Sequence, residues 1–536
     1  MSITGMILTA CLLICFFALM VGVGIYSRRH ATDVNGFVLG GRSVGPWLTA
    51  FAFGTSYFSA VIFVGYAGQF GWNFGLASTW IGLGNAFIGS LMAWSVLGRR
   101  TRIMTLHLDT KTMPDFFGSR YQSKTLKVVA SFIVFVFLIP YTASLYNGLS
   151  SLFNIAFNIP YVVIILVMAV LTGIYVIFGG YMATAINDFI QGIIMLGGIV
   201  AVIGAVLVTQ GGLSAAIGKL SQVESVYPET AGNPGAFTAF FGTQPLFLLM
   251  VVILTSLGTW GLPQMVGKFY SIKNEDAIKK GTVISTFFAI VVAGGCYFLG
   301  GFGRLFTESL AKASGNPETF DPNKFKSFDT VIPTMLSQLS APIIAIVIVL
   351  VLAASMSTLS SLVLTSSSTL TLDVVLTKKD TDEKKKVLVM RLFIVFFIVI
   401  SAIIAILKDR YNFAMIAQMM GVSWGALAGA FLAPFLYGLY WKGTTKAAVA
   451  VCFIYGTGLE IVQLLISLGV FTVSGPVLGF VFKNSLYSGS IAMLGGLVLV
   501  PIISLLTPKM KKDEVDKMFA CYEDDVSVNV KQSLGN

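Results

Sequence analysis

Phe51-Ala52-Phe53-Gly54-Thr55-Ser56-Tyr57-Phe58-Ser59-Ala60 puts a glycine, a threonine and two serines in the middle of an otherwise apolar run. The run covers roughly 46–70, enough helix to cross about 30 Å of hydrocarbon. Glycine lets a helix unwind, and backbone that leaves the helix at membrane depth is tolerated only where it lines a cavity or is buried in protein. A second apolar run is interrupted in the same manner by Thr255-Ser256-Leu257-Gly258-Thr259-Trp260-Gly261-Leu262-Pro263. There Pro263 removes an N–H and blocks the carbonyl four residues back. Either interruption alone also reads as a packing kink. The two fall in the second and seventh runs of the chain, five apart, and such pairing points to an inverted repeat with binding at the bilayer midplane. Five is odd, so the two repeats start from opposite sides.

Around these two runs lie eleven more, which makes thirteen expected spans. They run roughly 6–26, 46–70, 75–97, 126–148, 160–178, 188–209 and 243–263, then roughly 281–304, 333–364, 388–407, 414–437, 446–468 and 486–507. Of the 536 residues 56% are hydrophobic and 11% charged, too few charges to solvate a globular surface in water. The reading is an all-α polytopic membrane protein. Its transmembrane domain covers 1–507, and a polar tail covers 508–536. His30 and His107 are the two histidines and the five cysteines are scattered, which argues against a disulfide framework and against His-rich metal chemistry.

The first run has no Lys or Arg before it, and Arg28 and Arg29 follow it. A cleavable signal carries its charge in front, so an uncleaved span with an outer N-terminus is expected. Of 35 Lys and Arg, Lys219, Arg304, Lys312, Lys324, Lys326, Lys408, Arg410 and Lys483 then fall outside. The rest fall inside, in clusters such as Arg99-Arg100-Thr101-Arg102 and Lys384-Lys385-Lys386, as the positive-inside rule requires. The tail is then cytoplasmic. The net charge of +11 follows from topology and anionic lipid, and nucleic acid need not be invoked. No obligatory protein partner is implied.

Ionisable residues inside spans are costly and mark candidate sites. Asp188 opens the sixth run, and Glu460 lies in the twelfth, where a helix–helix hydrogen bond or snorkelling accounts for it. Lys268 falls at the cytoplasmic end of the seventh. The ninth run carries five hydroxyls in Ser355-Met356-Ser357-Thr358-Leu359-Ser360-Ser361. Ala354, Ser357, Thr358 and Ser361 share one helix face. Single hydroxyls of this kind bond back to the i−4 carbonyl or ease packing; five together point to a site for a hard cation.

Four motifs in order carry a resemblance. They are Gly36-Phe37-Val38-Leu39-Gly40-Gly41-Arg42-Ser43-Val44-Gly45, then Thr112-Met113-Pro114-Asp115-Phe116-Phe117 with Arg120, then Gly179-Gly180 followed by Asn187-Asp188 and Gln191, then Met356-Ser357-Thr358-Leu359-Ser360-Ser361. With them the chain resembles the sodium/solute symporter family over nearly all its spans. The resemblance implies a five-plus-five inverted repeat of the leucine-transporter type with one leading helix, and Na⁺-coupled uptake of a small organic solute. It implies a principal Na⁺ site made by Thr55 and Phe58 with Ala354, Ser357 and Thr358. Some members hold a further Na⁺ with a sixth-span aspartate and ninth-span hydroxyls; Asp188, Ser360 and Ser361 fit that pattern. Asp188 as a gating or helix-tethering carboxylate is the other reading.

The solute is expected among Ser59, Gly65, Tyr141, Thr255, Thr259 and Pro263. The proline branch carries an aspartate where Tyr57 stands, and aromatics where Val61, Thr255 and Thr259 stand. The second-span, sixth-span and seventh-span motifs look more like the pantothenate branch. Half-helix N-termini favour a carboxylate. A vitamin acid such as pantothenate, another organic acid and an amino acid all fit; proline, a monocarboxylate, sialic acid and a sugar are the alternatives. A transporter-like sensor is disfavoured because the tail from Pro508 is too short for a signalling module. A channel lacks a charged ring or carbonyl filter motif, and an enzyme lacks the groups to work with. The expected location is the plasma membrane.

Overall fold

The computed structural model describes residues 3–524 apart from 158, 226, 229, 316, 323, 379, 380 and 412–415. The last of these include the first two residues of the expected eleventh span, and 525–536 of the expected tail also lie outside the described residues. Among the described residues helices are the regular secondary structure, joined by turns and loops; the one β-bridge joins Val44 to Ile272.

Eleven helical stretches among the described residues are long and apolar enough to cross a bilayer, where thirteen spans were expected. The difference lies at breaks. Tyr161–Thr209 is one stretch of 49 residues, about 73 Å if straight, more than twice the hydrocarbon thickness. It holds the expected fifth and sixth spans on either side of Gly180, whose φ of 53° and ψ of −144° leave the helix. A side chain there would also meet the Phe37 carbonyl oxygen at 2.8 Å. The expected second span is divided: Pro46–Tyr57 is too short to be counted, and its remainder joins the third in the stretch Val61–His107. The ninth was expected from 333 but its helix, Ala341–Leu370, starts later. Pro342 stands at its first turn, a position that suits proline, and Val331–Ser337 forms a short helix of its own.

Ala341–Leu370 is the central element. It packs against Tyr161–Thr209, Lys124–Phe157, Ile3–Ser27, Glu383–Tyr411 and Pro46–Tyr57, and every residue of 350–364 is buried. Ile416–Tyr440, Lys446–Ser467 and Ser485–Leu506 pack mainly on one another. Glu383–Tyr411 lies at the periphery, with Leu392, Val395, Phe396 and Val399 about half exposed; such an apolar outer face is stable against lipid tails and not against water. Backbones approach closely where Gly71 meets Gly300, with only 2.0 Å between a Cβ built at Gly71 and the Gly300 backbone.

Candidate functional site

Pro46–Tyr57 ends at Phe58, which adopts extended geometry (φ −86°, ψ 116°). The last carbonyls of a helix have no intrahelical donor. At this end they face the central helix, 300 residues on in sequence. Ser357 Oγ lies 3.2 Å from the Thr55 carbonyl oxygen and 3.0 Å from that of Ala354. Thr358 Oγ1 lies 3.0 Å from the Thr55 carbonyl, 3.3 Å from that of Phe58 and 3.2 Å from that of Ala354. Five neutral oxygens thus meet. A hydroxyl has one proton to donate, so three carbonyls share two protons and lone pairs remain in excess. That donor set suits a hard monovalent cation, which takes oxygen ligands.

One turn further along the central helix stands a different group. Ser361 Oγ is 2.8 Å from Ser56 Oγ and accepts from Lys268 Nζ at 3.0 Å. Lys268 is 3% exposed. Its ammonium is 3.7 Å from Asp188 Oδ2 and 5.2 Å from the Tyr181 ring. Lys268 does stand near the end of the seventh span, as its position along the chain suggests, and there it is buried against Asp188. The seventh span breaks after Pro245–Gly258 and resumes as Pro263–Ser271, and Lys268 stands in the last turn of that second half-helix. Ser360 Oγ turns back to the Ser357 carbonyl at 2.9 Å. A cavity beside this group is lined by Pro263, Gln264, Lys268, Ser361, Lys111 and Thr365.

The expected solute residues are less concentrated. Ser59 and Tyr141 are buried, and among the described residues their hydroxyls are left without a well-formed hydrogen bond. Tyr141 lies beside both Ser59 and Trp424; the Trp424 ring centroid is 5.9 Å from that of Tyr141 and 6.2 Å from that of Tyr57. Trp424 Nε1 and the Tyr57 hydroxyl are likewise buried without a well-formed hydrogen bond among the described residues. Four unsatisfied polar groups around aromatic faces are what a polar organic solute would complete. Gly65 sits in the wide π-type turn Val61–Tyr66. Thr255 donates to the Val251 carbonyl at 2.9 Å, and Thr259 lies 2.9 Å from the Gly89 and Ser256 carbonyls, so both hydroxyls are engaged by backbone. Pro263 stands with Lys268 at the cavity. Sequence reasoning missed Trp424, since one tryptophan in an apolar span gives no signal. It undervalued Lys268, although a lysine inside an apolar run is a signal in itself.

Glu460 accepts from Ser488 Oγ at 2.7 Å, between the neighbouring helices Lys446–Ser467 and Ser485–Leu506. The Gly-Gly-Arg motif also acquires a reason. Gly40, Gly41 and Arg42 all have positive φ. The turn drives the Arg42 guanidinium onto the carbonyls of Thr110 (2.6 Å), Thr105 (3.3 Å) and Tyr270 (3.3 Å), and burial lowers its pKa from the ordinary value. Thr112 caps Met113–Arg120 by accepting from the Asp115 N–H, and its hydroxyl donates to Asp373 at 2.5 Å. Lys127 joins the same group, 2.6 Å from Asp115 and 3.1 Å from Asp373.

The chain is similar to known proteins over most of its length. The family model for the sodium:solute symporter family matches residues 37–456. The osmoregulated proline transporter of Bacillus subtilis (strain 168) is 26% identical over 503 residues, 93% of this chain and 94% of that protein. A sodium/proline symporter of Staphylococcus aureus (strain bovine RF122 / ET3-1) is 30% identical over 455 residues, 84% of each chain. Among solved structures, a Na⁺-coupled sialic acid symporter in a substrate-bound outward-open state superposes with a TM-score of 0.72 at 17% identity, covering 94% of this chain and 98% of that one. That last likeness supports the fold.

Proposed function

Because the chain belongs to the sodium:solute symporter family, we propose that it imports a small organic solute bearing a carboxylate, by alternating access about the paired breaks. It is an integral multi-pass membrane protein and Na⁺ is its coupling ion. The observation that carries the finer reading is the five-oxygen cluster of Thr55, Phe58, Ala354, Ser357 and Thr358. In this reading it is the coupling site. Na⁺ enters it, the hydroxyls turn their lone pairs inward, and the ion ties the broken second span to the central helix. Differential binding of that kind shifts the equilibrium between conformations.

The solute lies in this reading among Tyr57, Ser59, Tyr141 and Trp424, beside the same break, with Gly65, Thr255, Thr259 and Pro263 shaping the surrounding backbone. Proline is favoured by the names of the relatives. A carboxylate without a nearby amine, such as pantothenate, is favoured by Tyr57 in the break, where the chain offers no acidic side chain to an ammonium. The N-terminus faces outward, the tail 508–536 is cytoplasmic, and the protein sits in the plasma membrane.

The test is uptake into proteoliposomes of labelled proline, pantothenate, a short monocarboxylate, sialic acid and a sugar, each with and without an inward Na⁺ gradient. Accumulation of one compound only with the gradient is expected. Gradient-independent uptake would remove the coupling, and accumulation of the sugar alone would remove the carboxylate.

A further inference from the structure

Asp188 is fully buried, and neither of its oxygens accepts a hydrogen bond among the described residues. The cation it faces is the Lys268 ammonium at 3.7 Å, beyond the 2.7–2.9 Å of an optimised charge-assisted hydrogen bond. The ammonium is held from other directions by Ser361 Oγ at 3.0 Å and the Tyr181 ring at 5.2 Å. Ser361 is in turn bonded to Ser56 in the last turn before the second-span break, and Ser360 to the Ser357 carbonyl. A buried carboxylate joined through the Lys268 ammonium to Ser361 of the central helix, with Ser360 next to it on that helix, has the composition of a cation site, adjoining the neutral five-oxygen cluster through Ser357. A charge of the chain's own already stands there.

We propose that Lys268 is a tethered cation that takes the place of a second Na⁺ beside Asp188, so that this transporter binds one Na⁺ per chain. The inference rests on the reading of the five-oxygen cluster as the Na⁺ site. Its physical basis is charge. With the ammonium 3.7 Å away, Asp188 is neutralised, and a further cation entering among Ser360, Ser361 and Asp188 meets a like charge in a medium that screens it poorly. The tether lies on the half-helix Pro263–Ser271, which borders the cavity. The second charge therefore stays with the protein through the cycle, where an ion would be released.

A pair that merely braces two helices behaves differently when broken. Removing its lysine leaves a buried carboxylate and lowers stability whatever salt is present. A pair that fills a cation site leaves a place that Na⁺ can enter. The experiment is ²²Na⁺ binding at saturation to the purified full-length protein in detergent, together with melting in NaCl and in choline chloride. Wild type is expected to hold one Na⁺ per chain. Lys268→Met is expected to hold two, with a larger Na⁺-dependent rise in melting temperature than wild type. Asp188→Asn combined with Lys268→Met is expected to return to one; being neutral at both positions, it keeps the comparison valid if the single variant folds poorly without Na⁺.

Two Na⁺ in wild type, or no gain in Lys268→Met with melting equally lowered in both salts, overturns the proposal. The readout is the difference between variant and wild type. Failure of the five-oxygen reading shows elsewhere, as wild-type Na⁺ binding that Ser357→Ala with Thr358→Ala leaves unchanged.

Discussion

Thr358 is where the smallest change should have the largest functional effect. Its hydroxyl is within 3.3 Å of three carbonyls from two helices, so Thr358→Ala removes one oxygen of the proposed coupling site and leaves those carbonyls facing one another. In proteoliposomes the Na⁺ concentration for half-maximal uptake is expected to rise at least about tenfold, equivalent to about 1.4 kcal/mol, with folding retained. An unchanged Na⁺ dependence would dismiss the cluster. Arg42 makes the opposite case, a residue whose work is structural. Its planar fork serves three carbonyls at once, and Lys has a point charge with no such fork. Arg42→Lys should lower stability by about 1–3 kcal/mol, read as a fall in melting temperature, with the Na⁺ dependence of the remaining uptake unaltered.

At the scale of elements, the breaks matter more than the helices. Each interrupted helix delivers end groups that a continuous one would have spent on itself: carbonyls at Tyr57–Phe58, and at Leu262–Pro263 a new half-helix carrying Lys268. Gly180 does the same for the stretch Tyr161–Thr209, turning it so that Asp188 reaches Lys268. Gly180→Ala forces a Cβ into left-handed backbone, at a cost of about 1–2 kcal/mol, and toward the Phe37 carbonyl at 2.8 Å. The expected result is a lower melting temperature, together with loss of the extra Na⁺ that Lys268→Met gains, since Asp188 is then displaced. A variant as stable as wild type would show that the turn is not under this constraint.

For the whole molecule the decisive property is orientation. If charge sets it, a cysteine at Lys483 in a cysteine-free background should react with a membrane-impermeant maleimide on intact cells, and a cysteine at Lys385 only after permeabilisation; the reverse pattern would invert the topology. The end that carries the tail helix has a brace of its own. The tail helix Lys512–Phe519 buries Val515 and Phe519, and Phe519 lies 4.9 Å under the Arg120 guanidinium. Tyr522 donates to the Arg100 carbonyl at 3.1 Å. Lys442 meets Asp516 at 2.7 Å, and that hydrogen bond holds the carboxyl below its ordinary pKa. A lowered folded-state value means that the contact is present at neutral pH and lost as pH falls through that value. It is solvent-exposed, so Phe519→Ala should speed proteolysis of the tail far more than Asp516→Asn, which acts mainly at low ionic strength.

The amino-acid sequence determined the class of molecule and the places where it departs from regularity. Apolar length demands helices in lipid, and hydroxyls, glycine and proline inside such lengths have few reasons to be there. Thr55, Ser357 and Thr358 were legible for that reason, as was the kinship carried by the Gly-Gly-Arg and Met-Ser-Thr-Leu-Ser-Ser motifs. The count of spans was less legible, because a break such as Gly180 joins two crossings into one helical stretch and the one before Ser59 divides a third. Lys268 was placed near the end of the seventh span, where the structure has it, but linear distance could not show that Asp188 of the sixth span faces it there. Trp424 could be found only in three dimensions. Periodicity reports which face of a helix is buried, and it carries no information about which residue 280 or more positions away that face will meet. Sequence therefore located the oxygens, and tertiary structure alone decided that three carbonyls and two hydroxyls converge and that an ammonium stands beside them.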